Sequence, residues 1–182
     1  MKLVCGIDEA GRGPLAGPVT AGAVILPKDF PFYILDDSKA LSPKKRDAAF
    51  TIILEKAVSL GLGWVWPSEI DRINIHNAAL LAMKRAYSEL KAEADYILVD
   101  GKFIPEIAGQ ASAVVKGDQK IREIQAASIL AKTARDRWMI RYSWIDPRYG
   151  FEKHKGYPTK LHRQKCLEFG ISYIHRKSFK IL

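Results

Sequence analysis

The fold is decided by one stretch near the start of the chain, residues 2–26, which reads KLVCGIDEAGRGPLAGPVTAGAVIL. Residues 2–8 are short, apolar and prone to form a strand, and residues 19–26 form a second apolar run. Residues 11–18 between them contain three glycines and two prolines, which is typical of a turn-rich loop. The stretch therefore predicts two neighbouring strands that pair as a hairpin.

The rest of the chain alternates between predicted helices and strands. Helices are predicted at residues 42–61, 74–92, from just after Asp118 to about Tyr142, and 159–170, with Ser42 and Thr159 as N-caps and Gly61 and Gly170 as end residues. Further strands are predicted at residues 62–66, 96–99 and 111–115. This order predicts the α/β class, with helices packed on a mixed sheet.

The composition narrows the class of protein. The chain has 182 residues, with 29 Lys and Arg against 20 Asp and Glu, so its formal net charge is +9. This length fits one domain, 1–182, and 48% hydrophobic residues exclude a disordered chain. No apolar run approaches the roughly 18–20 residues of a membrane helix, and acids at Asp8 and Glu9 argue against a secretory signal. Two cysteines suit a reducing cytoplasm. The positive charge favours nucleic acid as the partner, with a merely basic soluble protein as the alternative.

Four acidic residues end or follow apolar strands, namely Asp8, Glu9, Asp100 and Asp118. Open α/β sheets place their sites at such strand ends. Because neighbours on a strand face opposite sides, Asp8 and Glu9 share a site only if the strand ends or bulges there. Asp118 is expected at a helix N-terminus, where the helix dipole favours its ionised form. Each acid alone is better explained as a turn or capping residue, but their repeated placement favours a site for Mg²⁺ or Mn²⁺.

The loop after the first strand contains Gly11, Arg12, Gly13 and Gly17. Its spacing is one residue too long for the dinucleotide-binding fingerprint, and a strand follows where that motif needs a helix. Two interpretations remain. In the first, the glycines let the loop backbone approach a ligand closely, and Arg12 is available to bind a phosphate. In the second, the loop is only a tight hairpin turn.

Motifs over nearly the whole chain carry a resemblance to a known family. They are GIDEAGRGPLAGPV at 6–19, DSKALS at 37–42, DG at 100–101, VKGD at 115–118, AASILAK at 126–132, RD at 135–136, YGF at 149–151, HKGYPT at 154–159 and HRKSF at 175–179. Together they resemble ribonuclease HII, the type 2 ribonuclease H, in its bacterial form. The resemblance implies a ribonuclease H-like fold and metal-dependent cleavage of RNA paired with DNA. It also implies cleavage at single ribonucleotides embedded in duplex DNA, leaving 5′-phosphate and 3′-hydroxyl ends.

The resemblance also implies roles for particular residues. The four acids would form a catalytic tetrad that holds two Mg²⁺ or Mn²⁺ ions at the scissile phosphate, with Asp8 bridging the ions. Gly11, Arg12 and Gly13 would read the 2′-hydroxyl largely through backbone groups. Tyr157 would pack against the sugar at the ribo–deoxyribo junction.

The C-terminal part, residues 146–182, is expected to form a small helical segment that binds substrate. The predicted phosphate contacts are Lys39, Lys116, Lys132, Lys155 and Arg176, each equally explained as a solvated charge. We expect a cytoplasmic monomer without the sliding-clamp peptide of the archaeal relatives. Two other functions remain open: another ribonuclease H-like nuclease, such as a junction resolvase, and a non-catalytic module that binds hybrids. Four converging acids argue against the second.

A separate group of possible metal ligands comprises His154, His162, Cys166 and His175. His162 and Cys166 lie four residues apart on one predicted helix, but the outer spacings match no common zinc pattern. We therefore predict that His162 and Cys166 serve helix packing. His154 and His175 are expected near the nucleic acid.

Overall fold

The computed structural model describes residues 2–36, 38 and 40–180. Among these residues, a five-stranded sheet has the order β3-β2-β1-β4-β5. Its strands are β1 (Val4–Ala10), β2 (Val19–Ile25), β3 (Ser59–Val65), β4 (Tyr96–Asp100) and β5 (Ala111–Val114). The helices are α1 (Pro43–Lys56), α2 (Pro67–Ser88), α3 (Arg122–Ile145), α4 (Phe151–His154) and α5 (Lys160–Phe169), and 3₁₀ turns span Phe32–Ile34, Gly117–Gln119 and Pro147–Tyr149. The predicted α/β class with a mixed sheet is confirmed.

Strand β1 lies at the centre of the sheet and pairs in both directions. It is antiparallel to β2, as the predicted hairpin requires, and the register runs without interruption to Ala10 opposite Thr20. It is parallel to β4, where the pairing extends as far as Ile7 opposite Val99. Because β4 is in turn parallel to β5, the carboxyl ends of β1, β4 and β5 lie at one edge of the sheet.

Helices cover both faces of the sheet at close range. Helix α2 packs on one face across β3 and β2, and α3 packs on the other across β1 and β2. Glycines make this approach possible, because a Cβ on Gly63 would lie 1.9 Å from the carbonyl oxygen of Ala82 in α2. On the opposite face, a Cβ on Gly6 would lie 2.1 Å from the carbonyl carbon of Glu123 in α3. The two helices therefore fix the sheet firmly between them.

The C-terminal part packs beside the end of α3 and the loop after β1. Its buried side chains include Tyr149, Phe151 and Ile174, which form an apolar cluster with Leu15 of the loop and Met139 of α3. An isolated bridge also pairs Ala16 with His175. Residues 11–18 are therefore held between α3 and the C-terminal part.

Both predicted N-caps are confirmed. The Oγ of Ser42 accepts the backbone N–H of Lys45 at 3.3 Å, and Oγ1 of Thr159 accepts that of His162 at 3.2 Å. Gly170 ends α5 as predicted, with φ at +73°. Within the described part of the chain, no helix is both long enough and apolar enough to cross a membrane.

The predicted bounds of three helices are wrong. Helix α1 ends at Lys56 rather than at Gly61, which lies within β3. Helix α2 covers Pro67–Ser88 instead of 74–92, with an interruption at Asn74, where φ is +64°. The Oδ1 of Asn74 accepts two backbone N–H groups of the next turn, so the residue acts as an internal cap. The helix after Asp118 begins only at Arg122.

Candidate active site

Three of the four predicted acids meet at the carboxyl edge of the sheet. Asp8 on β1 and Asp100 at the end of β4 follow the paired residues Ile7 and Val99, so their side chains lie next to one another. Carboxylate oxygens of Asp8, Asp100 and Asp118 all lie within 4.8 Å of one another. Asp8 and Asp118 are buried, with 5% and 6% of their surface exposed. This donor set, made only of carboxylates, suits a hard divalent cation.

Glu9 lies beside this group and not within it. Asp8, Glu9 and Ala10 continue the regular register with β2, so β1 has no bulge here, whereas its pairing with β4 ends at Ile7. The negative charge of Glu9 nevertheless raises the pKa of Asp8, so the two carboxylates lie near each other. The Oε1 of Glu9 instead accepts a hydrogen bond from Nη1 of Arg12 at 3.2 Å.

Asp118 reaches the cluster from a short turn, which differs from the predicted position at the start of a long helix. It lies in the 3₁₀ turn Gly117–Gln119, ahead of α3. The N–H of Gly117 donates to Oδ1 of Asp100 at 2.7 Å, which ties this turn to the end of β4. A Cβ on Gly117 would lie 2.5 Å from Cδ1 of Ile124. A larger residue at this position would therefore have to displace the side chain of Ile124.

Repulsion and burial disfavour the charged cluster when no cation is present. The pKa of Asp8 is raised well above its ordinary value, first by burial and then by the negative charges of Glu9 and Asp100. Burial also raises the pKa of Glu9, while Arg12 opposes that shift. A bound divalent cation would reverse the penalty on both carboxylates. The residues present therefore fit a metal site.

Two serines support Asp8, a role that no pattern in the sequence indicated. Ser128 on α3 forms a hydrogen bond with Asp8 that favours the ionised carboxylate and lowers its pKa. The Oγ of Ser128 is also 2.9 Å from Oγ of Ser38, and both residues are buried. The backbone N–H of Glu9 donates to Oδ1 of Asp8 at 2.7 Å. These contacts orient one carboxylate within the cluster.

Two buried arginines hold the glycine loop from behind. Arg135 on α3 donates to the carbonyl oxygens of Pro18, Ala16 and Lys155 at 2.8–3.0 Å. Arg176 donates to those of Gly17, Arg12 and Gly11 at 2.6–3.0 Å. Both side chains are fully buried. The predicted contact of Arg176 with phosphate is therefore incorrect, because its guanidinium is enclosed and engaged with backbone; Arg176 positions the loop instead.

Gly11 and Gly13 have different surroundings. Gly11 is buried with φ at +94°, and a Cβ there would lie 2.2 Å from Nε of Arg135. Gly13 is exposed, and a Cβ there would meet only Cε1 of Tyr157, at the ordinary contact distance of 3.8 Å. Gly11 is thus required by packing and backbone conformation. Gly13 is the glycine that faces open space beside Tyr157.

A cleft of about 460 Å³ joins these elements. It is lined by Glu9, Ala10, Gly11, Arg12, Gly13, Ser38, Arg46, Ser128, Lys132 and Tyr157. Tyr157 is 37% exposed, and Nζ of Lys132 lies 5.3 Å from its ring centroid. Arg46, which sequence reasoning missed, adds a third cation to Arg12 and Lys132. An acidic end and a basic, aromatic end therefore share one cleft.

The remaining predicted basic contacts lie at different distances from this cleft. Lys155 lines an adjoining cavity that shares Arg46, Lys132 and Tyr157, and its Nζ donates to the carbonyl of Glu152. Lys116 is exposed on the turn that carries Asp118. Lys39 lies outside the described residues.

Two histidines predicted to lie near the nucleic acid are buried. His154 and His175 are 8% and 1% exposed, and His154 borders the cavity that adjoins the cleft, so their place near the nucleic acid stays a prediction. Both pack in the apolar interior beside Phe151. His162 and Cys166 of α5 are also buried, as predicted for packing residues.

Comparison with solved structures identifies the fold class. The chain matches a ribonuclease H2 from Pyrococcus horikoshii with a TM-score of 0.77 and 24% identity, covering 98% of this chain and 94% of that one. It matches Bst-RNase HIII in complex with Mn²⁺ with a TM-score of 0.72 and 16% identity, covering 99% and 68%. Both matches show the ribonuclease H-like fold, and in this chain three carboxylates meet at the carboxyl edge of the sheet.

Sequence comparison gives the family. The family model for ribonuclease HII matches residues 5–182. The chain is 54% identical to a ribonuclease HII of Treponema denticola over 97% of this chain and 98% of that protein. It is 53% identical to one of Marinomonas sp. over 97% and 89%. The chain belongs to the ribonuclease HII family, and it is an endonuclease that hydrolyses the RNA of RNA–DNA hybrids.

Proposed function

We propose that this enzyme also cuts duplex DNA at single embedded ribonucleotides, leaving a 5′-phosphate and a 3′-hydroxyl. The observation that carries the proposal is the shared cleft. Glu9, beside the carboxylate cluster, lines the same cavity as Gly13 and Tyr157. One nucleotide contacting both ends would present its phosphate to the acids and its sugar to the glycine and the tyrosine.

The cluster of Asp8, Asp100 and Asp118 would hold Mg²⁺ or Mn²⁺, with Glu9 as the adjacent fourth acid. When two such ions are bound, they supply an activated water and charge stabilisation for the leaving 3′-oxygen. Ser128 and the N–H of Glu9 orient the carboxylate of Asp8. The buried position of Asp8 and Asp118 keeps competing water away from them.

The other end of the cleft would recognise the sugar. A 2′-hydroxyl is the chemical difference at an embedded ribonucleotide, and it both donates and accepts hydrogen bonds. The exposed backbone at Gly13 can approach it because no Cβ intervenes. The flat face of Tyr157 would pack on the neighbouring deoxyribose, where an extra hydroxyl would crowd it. Arg12, Lys132 and Lys155 supply positive charge for phosphates. We propose that residues 146–182 bind substrate, and that the enzyme acts as a cytoplasmic monomer.

The test uses three duplexes of one sequence: all DNA, DNA with one ribonucleotide, and an RNA–DNA hybrid. With Mg²⁺ or Mn²⁺ we expect cleavage of the second and third duplexes, and no cleavage of the all-DNA control. Extension of the products by a polymerase tests for the 3′-hydroxyl, and ligation tests for the 5′-phosphate. Asp100→Asn should nearly abolish cleavage of both substrates. The proposal is overturned if the single-ribonucleotide duplex stays uncut at an enzyme concentration that cleaves the hybrid.

A further inference from the structure

Three buried histidines form a connected cluster behind the turn that carries Tyr157. His154, His162 and His175 are at most 8% exposed. The rings of His154 and His162 stack at 4.4 Å between centroids, and those of His162 and His175 lie 5.1 Å apart. The cluster is separate from the carboxylates and takes no part in the reaction described above.

Hydrogen bonds show where the proton lies in two of these rings, His162 and His175. The Nδ1 of His162 lies 2.9 Å from the carbonyl oxygen of Tyr157, which only accepts, so this nitrogen carries the proton. The Nδ1 of His175 accepts the backbone N–H of Ser172 at 2.9 Å, so in the neutral ring the proton is on Nε2. This Nε2 lies 3.0 Å from the unprotonated Nε2 of His162 and 3.3 Å from Sγ of Cys166, and the nearer of the two contacts is the one to His162. The chain of donors therefore runs from His175 to His162 to Tyr157.

A metal ion is the alternative occupant, since His162, Cys166 and His175 bring ligand atoms within 4.8 Å of one another. Ligation by His175 would need an unprotonated Nε2, and the backbone N–H at its Nδ1 prevents this in the neutral ring. Burial also raises the pKa of the Cys166 thiol, which keeps it protonated. The hydrogen bonds satisfy the two rings without a metal.

The same cluster holds both backbone groups of Tyr157. Its carbonyl accepts from His162, and its N–H donates to the carbonyl oxygen of His154 at 2.9 Å. The preceding Gly156 is wedged against the glycine loop, because a Cβ there would lie 2.5 Å from the carbonyl oxygen of Ala16. The N–H of Leu15 also donates to the carbonyl oxygen of Gly156 at 2.8 Å. The backbone at 156–157 therefore sets the gap between the tyrosine ring and Gly13.

We propose that His162 is a positioning residue for Tyr157, which it holds through the carbonyl of that residue while His175 fixes its tautomer. The inference rests on the proposed function, in which Tyr157 recognises the sugar at the ribo–deoxyribo junction. Long hybrids present many equivalent scissile sites and depend less on that single contact. Loss of the His162 contact should therefore weaken cleavage at single ribonucleotides more than cleavage of hybrids.

A matched pair of variants isolates the contact. In His162→Asn the side-chain amide stands near the position of Nδ1 and still donates to Tyr157. In His162→Gln the longer amide stands near Nε2 and leaves the carbonyl without that donor. We expect His162→Gln to lower the ratio of kcat/KM on the single-ribonucleotide duplex to that on the hybrid by about fivefold, roughly the factor of one ordinary hydrogen bond. His162→Asn should keep the wild-type ratio.

Introducing His162→Gln into Tyr157→Ala tests the route of action. If His162 acts through Tyr157, the added His162→Gln substitution should cause no further change in the ratio of the two kcat/KM values. An unchanged ratio in His162→Gln, or a further change in the double variant, would overturn the inference alone. Failure of the wild-type enzyme to cleave the single-ribonucleotide duplex would overturn the proposed function and this inference with it.

A measurement on the unaltered enzyme covers the case in which a variant does not fold. Nitrogen-15 NMR of the histidine rings should show His162 protonated at Nδ1 and His175 at Nε2 near neutral pH. The opposite tautomer at His162 would remove the donor to Tyr157 and refute the proposal.

Discussion

Two glycines of the same loop, Gly11 and Gly13, are needed for different reasons. Gly11 has a positive φ and lies against Arg135, whereas Gly13 borders the open cleft. A substitution at Gly11 therefore disturbs the fold before it can report on substrate. At Gly13, by contrast, a substitution can hinder the approach of a sugar without lowering the stability of the fold.

The first prediction compares Gly13→Ala with Gly11→Ala. Gly13→Ala should leave the melting temperature nearly unchanged and reduce kcat/KM on single-ribonucleotide duplexes, because the new methyl group occupies the gap beside Tyr157. Gly11→Ala should destabilise the fold by about 1–3 kcal/mol through its backbone conformation, with further cost from the clash with Arg135. Thermal melting and steady-state kinetics measure both effects. A fully active Gly13→Ala enzyme would show that close approach at this residue is not needed.

The second prediction concerns the charge of Asp8. Its pKa is raised by burial and by neighbouring acids, so its ionised form destabilises the metal-free fold. Asp8→Asn should therefore raise the free energy of unfolding in a chelator at neutral pH, while nearly abolishing cleavage. The stabilisation should shrink as pH falls through the raised pKa and vanish below about pH 4, where Asp8 is protonated in both folded and unfolded states.

Urea unfolding of the wild-type enzyme and of Asp8→Asn between pH 7.5 and 4 tests whether the variant is the more stable of the two and whether its advantage shrinks as pH falls. A variant that is less stable than wild type throughout the range would contradict it. Cleavage by Asp8→Asn at the wild-type rate would remove Asp8 from the catalytic group.

At the scale of elements, the glycine loop and the C-terminal part behave as one assembly. Arg176 binds three carbonyl oxygens of the loop, and the adjacent His175 begins the donor chain to Tyr157. Arg135 links the loop to the same turn through the carbonyl of Lys155. Both sides of the sugar-facing gap are thus held by a few buried side chains.

The third prediction is that acid loosens this assembly. Burial lowers the pKa of both His162 and His175 to about 4, against about 6.5 in the unfolded chain. Their contribution to stability is therefore fully present above pH 6.5 and is lost as pH falls towards 4. The expected loss is about 1.4 kcal/mol per pH unit for each histidine.

His175→Asn supplies the control, because its amide oxygen can accept the N–H of Ser172 and does not titrate. The difference in unfolding free energy between wild type and this variant should narrow as pH falls from 7 to 5. Urea unfolding at constant ionic strength measures it. A difference independent of pH would show that His175 is not buried in its neutral form.

At the scale of the whole molecule, the net charge of +9 acts on association. The fourth prediction is that affinity for duplex substrate falls steeply with salt, since each neutralised phosphate releases counterions. If about five phosphates are contacted, a plot of log affinity against log salt should have a slope of about −4.5. Binding is measured with Ca²⁺ in place of Mg²⁺, under conditions in which no cleavage is detected.

Single substitutions locate the charges responsible. Lys132→Ala and Lys155→Ala should each make the slope shallower by about 1 if their side chains neutralise a phosphate. A flat plot for the wild-type enzyme would mean that the positive charge serves some purpose other than substrate binding.

The sequence by itself determined the features that depend on local order. Apolar runs of strand length, the glycine-rich loop and the capping residues Ser42 and Thr159 were sufficient for the α/β class and the β1–β2 hairpin. The placement of acids after strands predicted an edge where carboxylates converge. These features follow from periodicity and turn chemistry, which act over a few residues.

Tertiary structure decided the features that depend on distant contacts. Arg176 looks like a surface cation in the sequence, but three loop carbonyls enclose it. Glu9 follows Asp8 directly, yet it pairs with Arg12 and lies beside the group of Asp8, Asp100 and Asp118 rather than within it. The role of Gly11 depends on Arg135, which is more than a hundred residues away. Burial and partner choice are set only when remote segments pack, so no local pattern could reveal them.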